Sequence, residues 1–354
     1  MMVLLIFLCI NIVAAFISVT ESFNLHNSRH RKFLYASDFN NRLNNNNIPA
    51  RCSSSSQLFD GGRFFEFDNT LNVPRSNDSE ETTTYQVQYY IHNRMNLSSQ
   101  KAAPILVLHG GPGVPSDYLL PLKDVIPYRS IVFYDQLGCG RSNDHNDERK
   151  ELYSIESSLD DLELLIKKIG LRRFHLYGQS FGGILAFEYL KIIAERKNDD
   201  VECLSVILSS SPCDVAQVEG VANEMITDLI KDDPDESTIM ERFRLKHQCQ
   251  TTAKPKALTD AYEHAGKTGI WRGTDSIQGY KAVKPEDAAK RMSSCMVMRG
   301  ENDFVTEECV EGWKDAFNHN FVRYKVLDGC SHHGLLENGP MYGDIVDSYF
   351  SEYD

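Results

Sequence analysis

Six short, mostly apolar runs, each bounded by Gly, Pro or polar residues, dictate most of what this chain folds into. They are Pro104–His109, Ile131–Asp135, Phe174–Tyr177, Leu204–Leu208, Cys295–Met298 and Val322–Leu327. Runs this short and this apolar fit strands buried on both faces, as in a parallel sheet. Parallel strands need crossover connections, and helical patterns fill the gaps. Ile155, Leu159, Leu162, Ile166 and Ile169 recur at intervals of four and three, which lays one apolar stripe against the sheet. Ser154 is the expected N-cap of that helix and Gly170 its stop. A second helix follows Ser180 with Ile184, Leu185, Phe187 and Leu190; Glu307–Phe317 and Tyr342–Tyr353 are the last helices. Phe64–Phe67 and Tyr85–His92 read as an antiparallel pair that opens the sheet. The fold class is α/β.

One block breaks the alternation. Between Pro212 and Met292 no strand-like run occurs, and helical stretches stand around Val215–Ile230, Glu236–Cys249, Lys256–Ala265 and Pro285–Met292. An all-helical insertion in an α/β chain reads as a cap. The organisation is therefore a leader over 1–59, a first core segment over 60–211, the cap over 212–292 and a second core segment over 293–354. No internal repeat and no heptad pattern interrupts this reading.

Charge and cysteine content exclude several function classes. The net charge is −13 and the pI near 5.3, with no Lys/Arg tract in the body of the chain, so nucleic acid is not an expected partner. Nine cysteines without a CxxC or a Cys/His spacing give neither a disulfide scaffold nor a zinc site, and no metal or cofactor is expected. Cys203 and Cys295 lie in apolar runs and read as buried free thiols. The one long apolar stretch, Met2–Val19, sits at the N-terminus and has the length of a signal-peptide core, with Ala14 and Ala15 for cleavage. From Asn24 to Phe59 there are five Lys/Arg, one acid, eight Asn and six Ser, a transit-peptide composition. Signal followed by transit segment resembles the bipartite leader of algae with complex plastids, which implies a plastid address; secretion is the alternative. Two sequons, at Asn77 and Asn96, matter only on a secretory route.

Three motifs carry chemistry. Gly178-Gln-Ser-Phe-Gly182 lies between a predicted strand and a predicted helix, the context of a nucleophile elbow. A strand turning sharply into a helix exposes the Ser180 hydroxyl, and the helix N-terminus faces developing negative charge. His109-Gly-Gly-Pro-Gly113 follows another strand, where a loop without side chains supplies a backbone N–H to an oxyanion. The expected donors are Gly111 and Phe181. Chain order in such an architecture is Ser, then acid, then His. Asp303, with Glu301 as its rival, and His332, with His333 as its rival, follow the last two strands. Open α/β sheets build their sites at those strand ends.

Taken together, His109-Gly-Gly-Pro-Gly113, Phe133-Tyr-Asp-Gln-Leu-Gly-Cys-Gly-Arg-Ser142 and Gly178-Gln-Ser-Phe-Gly-Gly183 resemble the proline iminopeptidase family of α/β-hydrolases. The resemblance is dense from Pro104 to Leu190 and returns at Gly300–Glu337. It implies the α/β-hydrolase fold and a serine aminopeptidase that releases N-terminal proline or another small apolar residue from a small peptide. It places the nucleophile at Ser180, the acid at Asp303 and the base at His332, because the family's His directly follows a Gly or Ser. It gives Asp135–Ser142 a structural role beside the site. It also implies cap carboxylates for the substrate's free amine, since a buried ammonium needs a paired acid. Glu241, ahead of Lys246-His-Gln-Cys249, is the first candidate. Asp275, in Trp271–Ser276 where the family carries Glu, is the second. With 14 acids against 12 bases between Pro212 and Met292, the cap is not conspicuously acidic. An amidase or esterase on a small apolar acyl substrate is the competing enzyme reading, and a ligand-binding member of the fold the non-enzymatic one.

Overall fold

The computed structural model describes residues 68–76, 82–99, 101–142, 150–196, 201–266, 277–286, 292–317 and 322–354. The expected leader, the Phe64–Phe67 strand, Asp275 and most of the Pro285–Met292 helix lie outside the described residues.

Eight strands form one sheet: β1 Asn69–Ser76, β2 Thr82–His92, β3 Ile105–Leu108, β4 Ile131–Tyr134, β5 Arg173–Gln179, β6 Glu202–Ser209, β7 Ser294–Gly300 and β8 Val322–Leu327. Their order is β1-β2-β4-β3-β5-β6-β7-β8. β1–β2 and β2–β4 are antiparallel and every other pair is parallel. All six apolar runs are strands. The opening pair is Asn69–Ser76 with Thr82–His92: the expected strand Tyr85–His92 lies within β2, and its partner β1 is a strand the sequence did not suggest. Pro74 disguises β1, but at a sheet edge a missing N–H is tolerated, and Leu71 and Val73 point inward.

The reason the central runs are continuously apolar is visible in the core. Leu106, Leu108, Val132 and Tyr134 pack on one face with the helices Ile155–Ile169 (α1) and Phe181–Glu195 (α2). Ile105, Val107, Ile131 and Phe133 pack on the other with Gly339–Ser351 (named α6 below). Both faces are covered, so both parities must be apolar. β8 is the exposed edge, which explains its Arg and Lys. α1 is capped as expected: the Ser154 side chain accepts from the Ser157 N–H, and Gly170 ends the helix at φ 68°. All seven cysteines among the described residues are buried free thiols, and burial pushes Cys203 up to about 12.

In the cap, α3 spans Val215–Asp232, α4 Ile239–Phe243 and α5 Lys256–Glu263. The expected Glu236–Cys249 helix is not uniform. A 3₁₀ turn over Glu236–Thr238 leads into α4, and Arg244–Gln248 is a π turn. Such turns are rare and concentrate at functional sites. The Glu307–Phe317 stretch is likewise two short helices, Glu307–Glu311 and Trp313–Ala316, joined at Gly312, where a side chain would strike Cys213 Sγ. The last helix, α6, begins at Gly339, three residues earlier than its apolar pattern, because Asn338 caps it and Pro340 fits the first turn.

Candidate active site

The turn from β5 into α2 forces Ser180 into φ 53°, ψ −122°, a conformation a non-glycine residue adopts at a cost of about 1–3 kcal/mol. The surroundings hold it there. Ser180 N–H donates to Ser209 O (2.9 Å) and the Gly183 N–H donates back to Ser180 O (2.9 Å). Any side chain at Gly178 would strike the Gly182 carbonyl, and one at Gly182 would strike the Leu108 carbonyl. Strand and helix therefore pass this closely only with glycine at both places. Phe181 is the first residue of α2, so its N–H lies at the positive end of a 15-residue helix.

The loop after β3 closes on this elbow. A Cβ at Gly110 would lie 2.9 Å from Ser180 Cβ and 2.7 Å from Gln179 Oε1. Gly111 takes φ 116°, open to glycine alone in practice. Beneath the loop, the buried Arg141 guanidinium bridges Asp117 (NH2–Oδ1, 2.5 Å) and Asp135 (NH1–Oδ2, 2.8 Å). Ser116 donates to Asp135 Oδ1 through both N–H (2.9 Å) and Oγ (2.7 Å). Burial works against the Asp135 charge, but Arg141 and these donors hold its pKa below the ordinary value; at Asp117 burial wins and the pKa rises. The same segment reaches the cap, since Gly140 N–H donates to His264 O (2.9 Å) and Gly266 N–H to Gly113 O (2.8 Å).

The candidate acid and base meet at the ends of β7 and β8. His332 Nδ1 lies 2.9 Å from Asp303 Oδ1, and both side chains are buried. The Val305 N–H also donates to Asp303 Oδ1 (2.9 Å), and the Phe304 ring stacks on the imidazole at 4.3 Å. The rivals are placed elsewhere. Glu301 is exposed and accepts from the Gly329 N–H (2.9 Å). His333 is buried edge-on to Tyr118 at 5.1 Å, has no carboxylate partner among the described residues, and burial, with His332 and Lys254 nearby, pushes its pKa far down.

A chain of hydrogen bonds fixes the protons. The Gly110 N–H, which can only donate, gives to the Tyr118 hydroxyl (2.8 Å). The single Tyr118 proton then goes to Gln179 Oε1 (2.6 Å). That orients the amide with its NH₂ toward His332, 3.1 Å from Nε2. Nε2 is therefore the acceptor and Nδ1 carries the proton that Asp303 receives, the tautomer of a general base. Burial raises the Tyr118 pKa well above the phenol range, so it stays a donor. Gln179 stood inside the quoted pentapeptide, but its side-chain role has no sequence signal; neither does Tyr118.

The cap is stitched to the His332 loop. The His332 and His333 N–H groups donate to the π-turn carbonyls of His247 (3.3 Å) and Gln248 (3.0 Å). Glu337 accepts from Ser331 N–H and Oγ (both 2.6 Å) and from the cap residue Gln250 N–H (2.6 Å). Glu241 is not left free for an ammonium. Its Oε2 accepts from Arg244 Nε (2.8 Å), its Oε1 from Arg244 NH2 (2.5 Å), and its side chain is 55% exposed. Arg244, buried, turns its remaining nitrogen onto Cys249 O (2.8 Å) and Thr251 O (3.0 Å).

Residues 103–339 match the α/β-hydrolase fold family. A proline iminopeptidase from Lactobacillus delbrueckii subsp. bulgaricus is 42% identical over 280 residues, 71% of this chain and 91% of the relative. One from Lactobacillus helveticus is 26% identical over 291 residues, 75% of this chain and 96% of the relative. Among solved structures, a proline iminopeptidase from Mycobacterium smegmatis superposes with a TM-score of 0.61 at 19% identity, covering 80% of this chain and 98% of its own.

Proposed function

Because the chain belongs to the proline iminopeptidase family of α/β-hydrolases, we propose that it is a serine aminopeptidase releasing N-terminal proline or another small apolar residue. The observation that carries the reading is the buried Asp303–His332 pair, presented as a neutral base beside the strained Ser180 elbow. Ser180 Oγ attacks the acyl carbon of the first residue while its proton passes to His332 Nε2. The oxyanion receives the Phe181 and Gly111 N–H groups. The imidazolium, held by Asp303, protonates the departing amine, and water then releases the acyl group by the reverse relay. No step calls for a metal.

One observation favours the amidase or esterase reading: the best cap carboxylate, Glu241, already spends both oxygens on Arg244. A substrate panel decides. Prolyl and alanyl arylamides with free amines should be cleaved at least tenfold faster than their N-acetyl forms and than short acyl esters. A preference for N-blocked amides or for esters overturns the aminopeptidase assignment and leaves the hydrolase.

The composition of residues 1–59 supports delivery to a plastid through a bipartite leader. Fusing them to a fluorescent protein in an alga with a complex plastid should light that organelle; fluorescence in the medium overturns it.

A further inference from the structure

The lone pair that has to take the Ser180 proton is already engaged. Among the described residues Ser180 Oγ makes no hydrogen bond, and the group facing His332 Nε2 is the Gln179 amide at 3.1 Å. The contact is built: Gln179 is buried, its oxygen is fixed by Tyr118, and Tyr118 is fixed by the Gly110 N–H of the oxyanion loop. The second amide proton points to His332 O (3.4 Å), which pins the same loop from another atom.

We propose that Gln179 is a positioning residue that holds His332 as a neutral acceptor in the resting enzyme, with Tyr118 setting the orientation of its amide. The proposal rests on the reading of Ser180 as nucleophile and His332 as base. A donor aimed at Nε2 is compatible with the imidazole and repels the imidazolium, whose Nε2 also carries a proton. The contact therefore favours the ring with a free Nε2 lone pair over the ring protonated there. It also parks the ring: the bond to Gln179 has to be exchanged for one to Ser180 before attack. The bond being exchanged sits at one end of a chain whose other end, Gly110, adjoins the donor Gly111. A carbonyl oxygen entering the oxyanion site thus presses on the loop that orients the amide.

Other charges act on the ring and stay constant across the test. Asp303 accepts from Nδ1, His333 adjoins it in the loop, and the π turn of the cap presents the His247 carbonyl to the His332 N–H, with the His247 ring turned to Asn302 O. Lys254 acts at one remove, through His333. Phe304, stacked on the imidazole, is neutral.

The test is the position of the acid limb in the pH profile of kcat, measured for Gln179→Glu, Gln179→Met and Tyr118→Phe. Glu replaces the donor by an anion that favours the imidazolium, so the limb should move up by on the order of one pH unit. Met removes the donor, and Tyr118→Phe lets the amide turn its oxygen to Nε2; both should move the limb up by a smaller amount. Each variant is first checked for a wild-type melting temperature and for labelling by a fluorophosphonate. A folded, labelled Gln179→Glu enzyme with an unmoved limb overturns the proposal, as does a limb moved down in any of the three. Should wild type fail to label at Ser180, the underlying reading fails instead, and the two failures are distinguished.

Discussion

Ser180 and Glu241 show how differently the core and the cap fix their side chains. Ser180 stands where backbone geometry puts it: a strand end, a helix start and two glycines too close to their neighbours to be anything else. Glu241 stands where another side chain holds it, and that partner lies three residues away in an irregular turn. The core writes its site into spacing, because a strand-to-turn-to-helix connection leaves few alternatives. The cap writes its own into pairings between side chains, which many sequences satisfy.

The largest test of this contrast is Ser180→Ala. It deletes the proposed nucleophile and no packing volume, so folding should be unchanged while kcat falls about 10⁴–10⁶-fold. A variant keeping a tenth of wild-type turnover shows that the elbow is only a turn.

The next test removes support rather than chemistry. Asp135→Ala strips Arg141 of one of two carboxylates and takes the acceptor from Ser116 and the Arg141 N–H. Breaking a buried ion pair from one side costs about 3–5 kcal/mol. Denaturant melts should show a loss on that scale, and activity should fall even at 25 °C where the fold persists, because the glycine loop proposed to supply an oxyanion donor rests on the pair. A stability loss under about 1 kcal/mol would mean that the loop is held by its glycines alone.

A third test reads the far end of the sheet through pH. The Asp354 carboxylate meets Arg129 (2.9 Å), a fully buried guanidinium, and His175 Nε2 (3.0 Å). Burial opposes its charge, but His175 and Arg129 depress its pKa well below the usual range. A depressed carboxylate contributes stability that is fully present above its unfolded pKa of about 4 and is lost as pH falls toward the folded value. The melting temperature of wild type should therefore drop below pH 4, and that of Asp354→Asn should start lower and drop less. Parallel curves would assign the acid transition to other carboxylates.

How much was legible follows from the same contrast. The parallel core announced itself because strands covered on both faces need unbroken apolar runs, and α1 because Ser154 and Gly170 cap it. β1 was hidden by Pro74, which only the edge position excuses. The π turn at Arg244–Gln248 carries an ordinary helical pattern, and its irregularity comes from docking carbonyls onto the His332 loop, a contact between segments about 85 residues apart in sequence. Asp303 and His332 were legible as strand-end residues with one rival each. What separated them from Glu301 and His333 is their buried pairing with each other, a property of packing. Gln179, Tyr118 and Glu337 act through side chains and backbone groups that no spacing rule connects.

The smallest expected effect is the one that most sharpens the comparison. If the amine of a substrate were bound by Glu241, neutralising it would cost free-amine substrates alone, by tenfold or more in KM. The structure leads to a different expectation. Glu241 is more than half exposed, so the free energy of its pair with Arg244 is screened by water and amounts to about 1 kcal/mol or less. Its task is to hold Arg244 on the Cys249 and Thr251 carbonyls, which carry the segment that docks to Glu337. Glu241→Gln keeps one acceptor for Arg244 and should lower kcat/KM by less than about threefold, equally for prolyl arylamide and its N-acetyl form. Equal, small losses make Glu241 a strut of the cap and send the search for the ammonium partner elsewhere, Asp275 being the remaining sequence candidate. A selective rise in KM for free amines restores Glu241 as that partner and shows Arg244 yielding it when substrate arrives.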